Sequence, residues 1–227
     1  MPNVVRRQSR LLSLVALIAL VAALAGCGSD DKQGSSSSEA ATTDAAFLKG
    51  MIPHHESAVE MAKIAKTRAQ HKEIKDLAAS IVKTQNGEIK QMEAIYMDLF
   101  GKEVVPDPGA HEKLGLSAKD AGMDHMEMTG LARAKPFDRA FIDGMVPHHQ
   151  GAIRMARIAG AKSDDKQVKR LATSIISAQS REIEEMNAWR TKWYGSASAA
   201  GGVPTAMGSD GSDMKNDDDM KMERSGH

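Results

Sequence analysis

Two short segments of this chain carry the residue types best suited to chemistry, because imidazole and thioether side chains bind metal ions. Residues 50–62 read GMIPHHESAVEMA and residues 144–156 read GMVPHHQGAIRMA. Each segment has a proline before two adjacent histidines and a methionine three residues before the first of them. The candidate metal ligands are therefore His54, His55, His148, His149, Met51 and Met145.

Adjacent residues of a helix point about 100° apart, so neighbouring histidines cannot easily bind one small ion together. On a helical wheel His55 lies in the middle of the apolar stripe, whereas His54 lies at its border near Met61. A histidine on an apolar face is more often a hydrogen-bonded core residue than a ligand. The wheel thus predicts that His55 and His149 point inward and hold the fold, and that His54 and His148 sit at the edge and meet a metal.

Polar residues also interrupt the apolar stripe of the next helical pattern. They are Gln85 and Glu88, with Gln179 and Glu182 as counterparts. A buried carboxylate is costly unless it is paired or bound to a metal. Two interpretations fit: a Glu–His hydrogen bond that orients each helical hairpin, or a His/Glu metal site between helices. A di-iron carboxylate site is disfavoured because neither copy has the Glu-x-x-His pairs of that class.

Methionine is abundant, with 15 residues in the chain. Thioether and imidazole suit copper, especially Cu(I), whereas calcium and magnesium prefer oxygen ligands. A cluster within six residues predicts a second, looser copper site formed by Met123, His125, Met126 and Met128. Methionine as flexible core filler is the alternative and accounts for Met92 and Met186. It explains poorly the four methionines of the acidic C-terminal tail.

The histidine pairs belong to an internal duplication. Residues 44–101 and 138–195 align without a gap, and 25 of the 58 positions are identical. Each copy contains two patterns with apolar residues at three- and four-residue steps, and strand patterns are absent. Asp44 is a predicted N-cap, and Gly101 and Gly195 are predicted helix ends. Pro53 and Pro147 either kink a helix and leave a carbonyl without its usual partner, or begin a new helix.

These patterns predict an all-α fold, a ferritin-like four-helix bundle built from two duplicated hairpins joined by a long crossover. The folded domain is predicted over residues 44–195. Residues 27–43, rich in serine, are predicted to be a flexible tether, and residues 196–227 a disordered Met- and Asp-rich tail.

The N-terminus predicts export. Residues 1–26 combine three arginines, a short apolar run and small residues at the exit, as a signal peptide does. The sequence Leu24-Ala25-Gly26-Cys27 resembles a bacterial lipobox, which predicts acylation of Cys27 and anchoring to the outer face of the cell membrane. The alternative is a plain secretory signal followed by an idle thiol. Cys27 is the only cysteine, so no intramolecular disulfide can form.

Charge excludes one class of partner. Without residues 1–26 the chain has 27 basic and 30 acidic residues, a formal charge of −3. It therefore has no general basic surface, and no nucleic-acid partner is expected. The predicted partners are the lipid bilayer and a metal ion, and the sequence names no protein partner.

The segments 47–55 and 137–152 resemble the bacterial family called domain of unknown function 305 (DUF305), and the resemblance covers about residues 44–195. It implies a ferritin-like four-helix fold and export, often as a lipoprotein. It also implies copper binding through His and Met in some members, and the Met-rich stretch from Met123 to Met128 is typical of the family. The family name itself records that no general activity is established.

These observations predict an exported, membrane-anchored copper-binding lipoprotein that buffers or sequesters the ion and is not an enzyme. The alternative is an envelope module without metal, in which His–Glu networks stabilise the bundle. A ferritin-like redox enzyme is a weaker third hypothesis, because the chain lacks its Glu-x-x-His signature.

Overall fold

A computed structural model describes residues 31–123 and 128–205, and it contains two antiparallel helical hairpins. The first hairpin consists of helices α1 (Asp31–Arg68) and α2 (Lys72–Phe100). The second consists of α4 (Phe137–Lys162) and α5 (Lys166–Tyr194). The crossover between them carries a 3₁₀ helix (Pro108–Leu114) and the short helix α3 (Met128–Arg133). The described residues contain no strand, and the predicted all-α four-helix bundle is confirmed.

The ends of the outer helices follow the predicted signals. α2 ends at Gly101 with φ 66° and α5 ends at Gly195 with φ 87°. Only glycine adopts this left-handed conformation without strain, and its N–H then bonds a carbonyl of the last turn. At its other end α5 is capped by Asp165, whose carboxylate accepts from the N–H groups of Gln167 and Val168.

The first helix begins thirteen residues earlier than the sequence predicts, at Asp31 instead of Asp44. Ala40 and Thr43 are buried in the bundle, and Glu39 forms an ion pair with Lys162 at 3.0 Å. These tertiary contacts stabilise a helix that the serine-rich composition alone does not favour. The tether prediction is therefore wrong for residues 31–43, and residues 27–30 lie outside the described part of the chain.

The tail prediction is also wrong in its first part. Residues 196–205, here called the C-terminal strap, lie over α4 and α5. Gln150 donates to the carbonyls of Ala200 at 2.8 Å and Gly202 at 2.6 Å. The side-chain amide of Asn187 donates to the Gly201 carbonyl and accepts from the Ser198 N–H. Residues 206–227, with the four tail methionines, lie outside the described residues.

Both prolines of the repeated motif lie inside helices, Pro53 in α1 and Pro147 in α4. An interior proline leaves the carbonyl four residues earlier without its helical donor. For Lys49 the missing donor is replaced by the N–H of Asp107, at 2.9 Å. The first interpretation of these prolines is thus correct for α1, and the crossover supplies the compensating bond.

The core consists of two apolar clusters stacked along the bundle. In the first cluster the C-terminal half of α1 packs on the N-terminal half of α4. In the second cluster the N-terminal half of α1 packs on the C-terminal half of α4. The central helices α1 and α4 are therefore antiparallel. Met186 is fully buried in the first cluster and Met92 in the second, as core filler. Within the residues described, no helix combines the length and apolarity needed to span a membrane.

Candidate metal centre

The four histidines of the repeated motif meet at the middle of the bundle, between the two apolar clusters. The rings of His54 and His148 are in contact, with centroids 3.8 Å apart and planes tilted by 41°. Each ring lies 6.4 Å from the ring of its sequence neighbour, His55 or His149. With Gln85, Glu88, Gln179 and Glu182 these histidines form what is called here the polar layer.

The predicted edge position of His54 and His148 is wrong. His54 is 0% exposed and His148 is 5% exposed. A helical wheel considers one helix at a time, and the border of the α1 stripe faces the equivalent border of α4. The duplication therefore places equivalent histidines against each other across the axis between the hairpins.

The predicted inward orientation of the other pair is confirmed. His55 Nε2 lies 2.9 Å from Glu88 Oε2, and His149 Nε2 lies 2.6 Å from Glu182 Oε2. Both imidazoles are fully buried, whereas the carboxylates keep 16% and 14% of their side-chain surface exposed. Each glutamate thus connects a buried histidine to the outside of the bundle.

Hydrogen-bond partners define the tautomers of three of the four imidazoles. A carboxylate or a carbonyl oxygen only accepts, so Nε2 of His55 and His149 is the protonated nitrogen. His54 Nε2 likewise donates to the carbonyl of Ala121 at 3.0 Å. In metalloproteins a ligating histidine usually donates its second N–H to such an acceptor. The other nitrogen, Nδ1, then carries the lone pair that can bind a metal.

Those Nδ1 atoms have no hydrogen-bond partner. The same holds for both ring nitrogens of His148 and for the amide oxygens of Gln85 and Gln179. Within the part of the chain described, Asp44 Oδ1 is the one other buried side-chain nitrogen or oxygen without a hydrogen-bond partner. Buried polar atoms are nearly always paired. Their concentration in one layer is what a binding site for a cation would show.

The imidazoles of the central pair are neutral at physiological pH. Burial, and then the neighbouring His55 and His149, lower the pKa of His54 from 6.5 to about 3. Burial, and then the neighbouring His54, hold the pKa of His148 well below 6.5. A metal must displace protons from its ligands. Near pH 7 the lone pairs of these two imidazoles carry no proton, so the two rings can bind a cation without first losing one.

The thioethers lie on both sides of the layer. Met51 and Met145 are fully buried, Met51 in one apolar cluster and Met145 in the other. Residues three and four apart share a helix face, so each methionine is next to the histidine pair of its own helix. In the described residues no three His, Cys, Asp or Glu side chains form a metal site. The borderline and soft donors in and beside the layer are thus imidazole nitrogen and thioether sulfur.

The predicted loop cluster is only partly visible. Met123 is half-buried against an apolar cluster, and α3 begins at Met128. His125 and Met126 lie outside the described residues. The second, looser copper site therefore stays a prediction.

Sequence reasoning missed the contribution of the crossover. Residues 121 and 122 cross α4 backbone to backbone: a Cβ on Gly151 would lie 2.0 Å from the Ala121 oxygen, and one on Gly122 2.6 Å from the Pro147 oxygen. This close approach brings the Ala121 carbonyl to His54. A signal was present, because Gly151 replaces Ser57 of the first copy at a position where helices disfavour glycine.

An acidic cleft of about 590 Å³ lies between α2 and α5. Its walls include Glu73, Asp76 and Glu185, and also Glu182, the hydrogen-bond partner of His149. Solvent thus reaches one carboxylate of the polar layer through a cleft of negative charge.

The model of the DUF305 family, domain of unknown function, matches residues 44–162, which contain both copies of the motif, and residues 138–226, which contain the second copy. The chain belongs to the DUF305 family. Its predicted membership is thereby confirmed.

Solved structures of similar proteins include CopM in its Cu(I)-bound form, at 36% identity and a TM-score of 0.57 over 66% of this chain and 97% of that one. CopM has also been solved with Cu(II) and with silver. DUF305 proteins from Streptomyces coelicolor and Deinococcus radiodurans are both 27% identical, with TM-scores of 0.59 and 0.57. The first comparison covers 70% of this chain and 98% of that one, and the second 66% and 96%.

An uncharacterised protein of Acanthamoeba polyphaga mimivirus is 44% identical over 50 residues. The match spans 22% of this chain and a third (33%) of the viral protein.

Proposed function

We propose that this DUF305 protein is an extracytoplasmic copper-binding lipoprotein that buffers or sequesters copper without catalysis. One observation carries the proposal: four buried imidazoles meet with every Nδ1 unpaired, and three of them hold Nε2–H on a fixed acceptor. That is the arrangement of ligating histidines with their supporting groups.

Copper is the metal that this donor set suits. Imidazole and thioether are borderline and soft ligands, and the fully buried Met51 and Met145 lie one helical turn before the histidines. The structures of CopM with Cu(I), Cu(II) and silver support this choice, since these ions bind to a relative of the same fold.

Each ligand has an assigned role. His54 and His148 bind the ion across the axis, and Met51 and Met145 add thioether sulfur. His55 and His149, held by Glu88 and Glu182, position the layer around this pair. Met123, His125, Met126 and Met128 form the looser second site.

A Cu(I) titration under a competing chelator tests the central site. We expect the variant with His54→Gln and His148→Gln to lose at least about tenfold in affinity, because it loses two ligands of one ion. His111→Gln is the matched control: His111 is buried too, but its Nδ1 bonds the Leu116 carbonyl outside the layer. Equal affinity of the double variant and the unmodified protein would refute the assignment.

Lipid attachment rests on Cys27, the single cysteine, at the lipobox position. We expect Cys27→Ser to move the protein from the membrane fraction to the soluble envelope fraction, because the acyl chains attach through the thiol. Cell fractionation followed by immunoblotting measures this. Retention of the variant in the membrane fraction would contradict acylation at this residue.

The alternative, an envelope module without metal, is favoured by the two His–Glu hydrogen bonds, which stabilise the bundle without any ion. It predicts that Glu88→Gln and Glu182→Gln lower the melting temperature and that copper does not raise it. The copper-binding function predicts a higher melting temperature with copper, because a ligand that binds only the folded state stabilises it. Thermal melts with and without one equivalent of Cu(I) separate the two functions.

A further inference from the structure

A second cleft, of about 550 Å³, lies over α4 between the crossover and the C-terminal strap. Four cationic side chains line it, Lys119, Arg139, Arg154 and Arg190. Two carboxylates line it as well, those of Asp120 and Asp143. The cleft therefore carries an excess of positive charge in a chain whose formal net charge is zero.

The arginines differ in how far their N–H groups are already used. Arg190 is buried and donates to both oxygens of Asp143, at 2.6 and 3.0 Å, so the two charges already neutralise each other. Arg139 lies 3.5 Å from the same carboxylate and is about half exposed. Arg154 gives one N–H to the Asp120 carbonyl, at 3.2 Å.

Donors are left over for a ligand. Among the described residues, the other N–H groups of Arg154 and the ammonium of Lys119 have no hydrogen-bond or ion-pair partner. Of the two carboxylates that line the cleft, Asp120 is the one without an ion pair, and it accepts from the Ser117 hydroxyl at 2.6 Å.

The internal duplication supplies a comparison within the molecule. At the positions of Gln150 and Arg154 the first copy has Glu56 and Glu60, and at the position of Arg139 it has Ala45. The same face is thus acidic on α1 and cationic on α4. The positive charge belongs to this one cleft and is not a consequence of the repeated fold.

The cleft is also preformed. Its floor includes Pro147, and the buried Gln150 donates both amide N–H groups to the strap. Arg190 in turn holds the strap by donating to the Ser196 carbonyl at 2.7 Å. Rigid walls reduce the entropy lost on binding.

We propose that this cleft binds a small oxyanion of the phosphate class, with Arg154, Arg139 and Lys119 as its ligands. A guanidinium presents parallel N–H groups that match two oxygens of a phosphate. The ligand is a free phosphate or the phosphate of a lipid headgroup, which share this chemistry. The proposal does not depend on copper binding.

Calorimetric titration of inorganic phosphate into the full chain tests the proposal. We expect saturable binding that weakens about tenfold in Arg154→Gln and further in Arg154→Gln with Arg139→Gln, because charge-assisted hydrogen bonds are lost. The matched control is Glu60→Gln with Glu56→Gln, on the equivalent face of α1. Lys119→Gln is a second test of the same loss, at an exposed side chain that forms no hydrogen bond or ion pair with the described residues.

Vesicles separate the two sources of phosphate. The full chain with Cys27→Ser, which cannot be acylated, is mixed with phosphatidylcholine vesicles with and without phosphatidylglycerol. Binding that requires phosphatidylglycerol and is lost in the arginine variant supports a lipid headgroup, and calorimetric binding alone supports a soluble phosphate. Absence of both, or equal binding by the double arginine variant, overturns the proposal. Copper affinity of the same variants stays unchanged, which keeps this result separate from the proposed copper function.

Discussion

His54 and His148 occupy equivalent positions of the two repeats, yet they have different surroundings. His54 Nε2 is held by the Ala121 carbonyl, whereas neither nitrogen of His148 has a partner. The crossover bonds the ring of His54 but not that of His148, so the duplication is broken at the residues that matter for metal binding. One ligand of the central pair is thus fixed in its tautomer, and the other can present either nitrogen.

Acid should destabilise the metal-free protein. A histidine whose pKa is lower in the folded state binds its proton more readily when unfolded, so stability falls as the pH drops below 6.5. For His54 the loss continues to about pH 3, and His148 acts in the same direction. Each contributes up to about 1.4 kcal/mol per pH unit.

Urea unfolding at pH 7 and pH 5 measures this loss. Burial raises the pKa of Asp44 from 3.8, which acts in the opposite direction at lower pH, so pH 5 is the better comparison. The variant with His54→Gln and His148→Gln should show a flatter dependence. Equal stability of the unmodified protein at both pH values would contradict the burial of two neutral imidazoles.

At the scale of elements, the crossover acts as a third partner of the two hairpins. It donates the Asp107 N–H to the Lys49 carbonyl that Pro53 leaves free, and it lays Ala121 and Gly122 on α4. The interior prolines and the crossover therefore depend on each other, because the helix defect exposes a polar group that the crossover satisfies.

Gly151→Ala should destabilise the protein by about 1–3 kcal/mol, because its Cβ would overlap the Ala121 carbonyl and force the crossover away from α4. Gly87→Ala is the matched control. Gly87 lies inside α2 with nothing within 4 Å of an added Cβ, so alanine should stabilise there by about 0.5–1 kcal/mol. Denaturant unfolding compares the two, and equal effects would contradict the tight crossing.

At the scale of the whole molecule, each hairpin is tied to the other through an aspartate of the repeat. Asp138 of α4 accepts from the backbone N–H groups of Gln70 and His71 and from His71 Nδ1, in the turn between α1 and α2. Asp44 of α1 is the counterpart and lies beside Ser163, in the turn between α4 and α5. The Asp138 contacts thus join the second hairpin to the turn of the first.

Asp138→Asn should lower the free energy of unfolding by about 2–3 kcal/mol, because three donors lose a charged acceptor. Asp44→Asn should have a smaller effect, because Asp44 Oδ1 has no partner and burial already disfavours its charge. Chemical denaturation of the two variants gives the comparison. A larger loss for Asp44→Asn would contradict these unequal roles.

The sequence by itself determined the helical hairpins, their ends at Gly101 and Gly195, and the inward orientation of His55 and His149. Each of these depends on the period of one helix or on the glycine after it, which is local information. It also determined the family, because the repeated motif is specific.

The tertiary structure decided the rest. It placed His54 against His148, brought Ala121 over them, extended α1 back to Asp31 and ordered the strap. These features depend on contacts between segments far apart in the chain, and no single helical wheel contains them. The side of a helix that looks like an edge in isolation becomes the centre of the molecule when its duplicate packs against it, because burial is a property of the assembled bundle.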